Sequence, residues 1–177
     1  MPRSVFVVAI TIVLGAFAPT TSAQQYAGHG AHHAPGPTQH KQMQAMLEEI
    51  DRVIAEGFGA GLAFAADQNG YPGPKHVLEL KDRLQLTPAQ ETQVTALHAA
   101  MLADARPKSA RLLEAEARLR QLFAGGAADE ARVRALVTEI ERARTEVRLV
   151  HLLTHLETRA VLTDQQRRSY HEARWGR

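Results

Sequence analysis

The segment Leu86-Thr87-Pro88-Ala89-Gln90 recurs later in the chain as Leu162-Thr163-Asp164-Gln165-Gln166. Each is a complete helix start. The Thr hydroxyl can accept from the backbone N–H three residues on, and the Gln amide can reach back to the Thr N–H. In the first, Pro88 takes the first helical position, where its missing N–H costs nothing. In the second, Asp164 sits at the positive end of the helix. Two starts of this kind, with nothing strand-like around them, commit most of the chain to helices.

Heptad spacing then sets the helix lengths. Val94, Met101, Ala115 and Leu122 share one position and Ala105, Leu112 and Leu119 a second, with the register intact through Pro107. This predicts one helix over 88–124, kinked near Pro107, and ended by Gly125-Gly126. Asp129 is the expected cap of a helix over about 130–160. Its first half buries Val133, Leu136, Ile140 and Val147. Its second half is expected to turn Leu149, Leu152, Leu153 and Leu156 inward, a rotation that suggests one partner within the chain and one outside it. A last helix follows Thr163 and runs to about Trp175. Upstream, Met46, Ile50, Val53 and Ile54 predict a helix from Met43 to about Ala66, weakened by Gly57, Gly59 and Gly61. Asn69–Pro74 breaks the chain, and Lys75–Leu84 is expected to be a short helix with Val77, Leu78, Leu80 and Leu84 on its apolar side. No stretch alternates long enough to be a strand, so the fold class is all-α. The Gly-x-Gly-x-Gly run has neither a preceding strand nor a following Lys-Ser/Thr, which argues against a phosphate loop.

Residues 1–23 read as a secretory signal peptide: Arg3, an apolar run from Val5 to Ala18, then Thr21-Ser22-Ala23. The alternative, a retained anchor, needs a longer apolar stretch, roughly 20 residues. Cleavage leaves Gln24 first and places the mature protein outside the cytoplasm. It removes Arg3 alone, so the 21 Lys and Arg come close to balancing the 19 Asp and Glu. Near neutrality gives no case for nucleic acid. The chain has no cysteine and nine histidines, which excludes a disulfide framework and a thiol nucleophile and suits an oxidising compartment. Residues 24–42, rich in Gly, Pro and His, are expected to be a disordered tail, ahead of a helical domain over 43–177.

The two boxes, Leu86, Thr87, Gln90 and Leu162, Thr163, Gln166, lie behind a signal peptide in a cysteine-free helical chain. Together they resemble the LTxxQ family, the Spy/CpxP-type periplasmic chaperones and the related periplasmic heavy-metal sensors and zinc-resistance proteins of Gram-negative bacteria. The segment from Tyr71 to Leu80 is similar to the lead-in of some members, and the likeness covers about residues 43–175. The resemblance implies a hooked helical hairpin that dimerises into a curved cradle. It also implies either holding of unfolded proteins without ATP, or a metal site that reports to a membrane-bound partner.

Several groups of residues are candidates for chemistry or binding. His29, His32, His33 and His40 are clustered imidazoles that suit zinc, nickel or copper, or else belong to a solvated tail. His151 and His155, one helical turn apart, can reach one ion. They can equally be surface or interface histidines, on the side of Arg144 and Arg148. His76 and Glu79 can meet at i, i+3, although packing of His76 against the Tyr71–Pro74 turn is the simpler reading. His98 reads as a packing residue. The apolar Met43, Met46, Phe58, Leu62 and Phe64 are candidates for a dimer seam or a client surface. The carboxylates interleave with arginines on helix faces, with no pocket to tune a catalytic pair, and no nucleophile elbow is present. No enzyme is expected.

The leading reading is an ATP-independent periplasmic chaperone or envelope-stress protein that binds unfolded proteins and requires no cofactor. The alternative is a periplasmic heavy-metal sensor or metal-binding resistance protein for zinc, nickel or copper. A homodimer is expected in either case.

Overall fold

A computed structural model describes residues 36–176. The signal peptide and His29, His32 and His33 lie outside the described residues. Among those described there are seven helices and no strand: α1 (Pro37–Ala55), α2 (Phe64–Gln68), α3 (Pro74–Glu79), α4 (Lys81–Leu84), α5 (Pro88–Ala124), α6 (Glu130–Val161) and α7 (Asp164–Trp175).

α5 and α6 form the frame, an antiparallel hairpin. Arg118 pairs with Glu139 near its tip, while Arg144 reaches Glu116 at 2.7 Å and Arg111 reaches Glu146 at 3.0 Å further back. The heptad register of α5 is met: Val94, Met101, Ala105, Leu112 and Ala115 are buried, and the helix is continuous through Pro107. Across the hairpin Leu112 and Ala115 pack with Ile140, Val147 and, from α1, Ile54. Each large apolar side chain taken fully out of water contributes roughly 1.5–3 kcal/mol.

The N-terminal elements fold back on this frame and make the hook. α1 begins at Pro37, so the expected boundary between tail and domain at 42/43 falls inside a helix. Proline is well suited to a helix start, where no N–H is needed. α1 ends at Ala55 rather than running on to Ala66. Gly57 (φ +91°), Ala60 (φ +41°) and Gly61 (φ +88°) take left-handed conformations that no right-handed helix contains. The short helix expected over Lys75–Leu84 is two helices separated at Leu80. Val77, Leu84, Val94, Leu162 and Tyr170 close a core there.

Both capping boxes form. Thr87 accepts from the Gln90 N–H and Thr163 from the Gln166 N–H, each at 3.2 Å, and each Gln Oε1 accepts from its own Thr N–H. The boxes also bind each other. Gln90 Nε2 donates to Gln166 Oε1 at 2.9 Å, and Gln166 Nε2 donates to Gln90 Oε1 at 3.0 Å. Gln90 Nε2 also donates to the Val161 carbonyl at 2.9 Å, at the end of α6. Each amide thus caps its own helix with the oxygen and ties the starts of α5 and α7 together with the nitrogen. A glutamate could do only the first.

Candidate functional site

The second half of α6 places its side chains differently from the expectation. Leu149, Leu153 and Leu156 are 49%, 53% and 52% exposed, and the buried row is Val147, Val150, His151, Thr154, His155 and Thr158. Polar residues occupy the inner side because their needs are met locally. The Thr154 hydroxyl donates to the Val150 carbonyl at 2.8 Å and the Thr158 hydroxyl to the Thr154 carbonyl at 2.7 Å. A buried hydroxyl with such a partner costs little.

His151 and His155 are therefore interior residues, 4% and 8% exposed, not surface ones. Each lies against a glycine of the hook. A Cβ on Gly59 would stand 3.1 Å from the His151 ring, and one on Gly73 would stand 2.8 Å from His155 Nε2. A side chain at Gly73 would displace His155, and one at Gly59 would crowd His151. The Tyr71 carbonyl accepts from His155 Nδ1 at 2.7 Å, which leaves the lone pair of the neutral ring on Nε2. Nε2 of His151 is buried without a hydrogen-bond partner. Burial pushes the His151 pKa down to about 4, with His155 beside it adding to the shift. Burial also lowers His155, opposed by the Tyr71 carbonyl and by Asp67. Both rings are neutral at pH 7, the form that binds metal ions.

The pair lines a cleft of about 430 Å³ between the hook and α6, together with Asp67, Lys75, His76 and Arg174. Asp67 is buried, accepts from the Tyr170 hydroxyl, and pairs with Arg174 at 3.1 Å. Burial and the adjoining carboxylate push the Tyr170 pKa far up, so its hydroxyl keeps its proton. His76 Nδ1 meets Glu79 at 2.8 Å, the i, i+3 contact. His98 stacks on Phe58, with centroids 6.5 Å apart, and burial lowers its pKa.

The donor set is incomplete for a closed metal centre. Among the described residues, no group of three or more His, Cys, Asp or Glu is arranged to hold an ion. His151 and His155 fit two positions of a tetrahedral shell. His40 is exposed on α1, apart from that pair's cleft lining. Of the apolar candidates, Met43, Met46 and Phe64 are exposed. Phe58 and Leu62 are half-buried in the chain's own packing, Phe58 under Lys75 and Leu62 against the hairpin core. Asp67, Tyr170, Arg174, Gly59 and Gly73 escaped the sequence reading. The one signal for them was the acid Asp67 closing the otherwise apolar run Leu62–Ala66.

Hook, hairpin and buried histidines define a small all-helical protein whose most distinctive chemistry is paired imidazole. The chain belongs to the heavy-metal resistance family, whose family model matches residues 52–169. The match takes in both Leu-Thr-x-x-Gln boxes and both buried histidines, and it bears out the resemblance to Spy/CpxP-like periplasmic metal-resistance proteins. No curated protein and no solved structure matches the chain. No helix among the described residues is long and apolar enough to cross a membrane.

Proposed function

We propose that the protein serves heavy-metal resistance in the periplasm by binding a divalent ion, zinc, nickel or copper, as its cargo or signal. His151 and His155 are two of the ligands in this reading. One observation supports it above all. Within the span of the family match, two neutral imidazoles sit one turn apart, and the Tyr71 carbonyl holds His155 Nδ1–H so that Nε2 keeps its lone pair. A backbone carbonyl on the far nitrogen is the usual way a histidine ligand is oriented. His155 Nε2 abuts Gly73, so an ion reaching it must part the hook from α6. Metal then favours one arrangement of the hook over another, which a signal to a membrane-bound regulator or a homodimer partner requires. No catalytic step is involved.

Calorimetric titration of zinc into the chain from Gln24, beside the double variant His151→Ala, His155→Ala, tests this. The expected result is a site present in the first and missing from the second. Absence of binding in the unaltered chain, or identical binding in both, would end the proposal.

A second reading, ATP-independent holding of unfolded proteins, draws on the exposed rows Leu149, Leu153, Leu156 on α6 and Met43, Met46, Leu47, Ile50 on α1. Apolar rows left in water mark interaction surfaces. Light scattering by a reduced model client separates the two. Suppression in chelator supports holding without metal. Suppression with zinc alone joins the readings, and none in either condition removes the second.

A further inference from the structure

The largest cleft among those described, about 1050 Å³, is separate from the histidine pair. It opens between the loop Gln68–Gly70 and the end of α6 with α7, and it includes Arg159, Arg167, Arg168, His171, Glu172 and Trp175. Of its three arginines one is paired with a carboxylate. Arg167 Nη1 donates to the Leu162 carbonyl at 2.8 Å and the Arg159 carbonyl at 3.2 Å, and Nη2 pairs with Asp164. The other two have no carboxylate partner among the described residues. The Arg159 guanidinium lies 4.4 Å over the Tyr71 ring, a contact that fixes its plane and leaves its edge donors uncommitted. Arg168 is exposed on α7.

The cleft also concentrates unmet hydrogen-bonding capacity. Six buried side-chain atoms among the described residues have no partner, and three of them, Arg159 Nε, His171 Nδ1 and Trp175 Nε1, belong to residues of this one wall; all three are shut off from solvent, so a ligand in the cleft bonds them only when their side chains turn. Two are obligatory donors and the third donates in one tautomer. Unpartnered buried polar atoms are rare and call for an explanation. A cation is repelled by the arginines, and a neutral apolar ligand would leave every donor unmet. A multi-oxygen anion meets forked guanidinium groups with short, charge-assisted bonds.

We propose that this cleft binds a small oxyanion, a phosphate or a polycarboxylate, with Arg159 and Arg168 as the charged donors and His171 and Trp175 as supporting ones. Two carboxylates share the wall: Asp164 is paired with Arg167, while Glu172 opposes the anion and limits affinity. The site is independent of the metal reading and stands or falls separately.

Trp175 is the only tryptophan, so its emission reports on the cleft directly. The full chain from Gln24, stripped of metal with chelator and then dialysed free of it, is titrated at pH 7 with inorganic phosphate and separately with citrate, against sodium chloride at matched ionic strength. A saturable change with either anion and not with chloride is expected, and the responding anion identifies the ligand's chemistry. Arg168→Gln, on an exposed position, weakens binding by about tenfold or more, and Glu172→Gln strengthens it, both with unchanged helical circular dichroism. A response no different from chloride for both anions, or one with the same midpoint in Arg168→Gln, overturns the proposal.

Discussion

The two ends of the α5–α6 hairpin are held by different means. Towards the tip the α5–α6 pair has little cover, and α1 reaches it through Asp51, which pairs with Arg120 at 3.5 Å on the surface. Phe123 and Val137 are exposed, and the ties are solvent-facing pairs such as Arg118 with Glu139 and, within α6, Arg134 with Glu130. At the hook end a third layer covers the hairpin, and the ties are individual and buried or part-buried: Asp67 with Tyr170 and Arg174, Gln90 with Gln166, His151 and His155 against Gly59 and Gly73. A two-helix layer can exclude water from little, so its ion pairs remain screened and weak. A third layer creates an interior in which one unmet polar atom matters. The part of the chain able to bind something selectively is the part that is thick enough.

Substitutions can break that contrast. The largest effect is expected at Asp67. Asp67→Ala strands the Tyr170 hydroxyl and the Arg174 guanidinium, at a cost of about 2–4 kcal/mol, and Tyr170→Phe costs about 1–2 kcal/mol. Urea denaturation reads both, and equal midpoints for wild type and Asp67→Ala would contradict the account of the hook.

Acid comes next. The folded His151 titrates at about 4, against 6.5 for an ordinary histidine. Below pH 6.5 the unfolded chain takes up a proton that the folded ring refuses. Stability is therefore full above 6.5 and falls as pH drops toward 4, by about 3 kcal/mol at most from this ring. In chelator, His151→Leu is expected to flatten the loss between pH 6.5 and 4, leaving the smaller part due to His155. A slope unchanged in the variant would show that the buried ring is not its source.

The glutamine pair follows. Gln166→Glu keeps the cap acceptor and loses the donors to Gln90, at a cost of about 1–3 kcal/mol. That exceeds the ~1 kcal/mol of a simple cap loss in Thr163→Ala. Gln90→Glu is expected to be non-additive with it, and strict additivity in the double variant would mean that the two boxes act only on their own helices. Arg118→Ala at the tip should leave the urea midpoint unmoved. A clear drop there would erase the difference between the ends.

Much of this was legible in residue order. Thr87, Asp129 and Thr163 cap the three helices assigned to them, and the heptad row through Pro107 is the buried row of α5. Caps and heptads act over three, four and seven residues, so the chain itself carries them. The histidine pair was visible as a spacing, but its environment was inverted. Leu149, Leu153 and Leu156 look like an inner face by hydrophobicity alone. The hook instead lays Gly59 and Gly73 against the opposite side of α6, and threonines whose hydroxyls bond one turn back can line it.

The sequence by itself determined that the protein is all-α, where its long helices start and stop, and which α5 residues face the hairpin. These follow from interactions between near neighbours. Only the tertiary structure decided that two capping glutamines bond each other, that Asp67 meets Tyr170, and that His151 and His155 are interior, neutral rings. Those facts depend on which distant segments converge on one side of α6, and desolvation, which sets their chemistry, exists only after the segments have met.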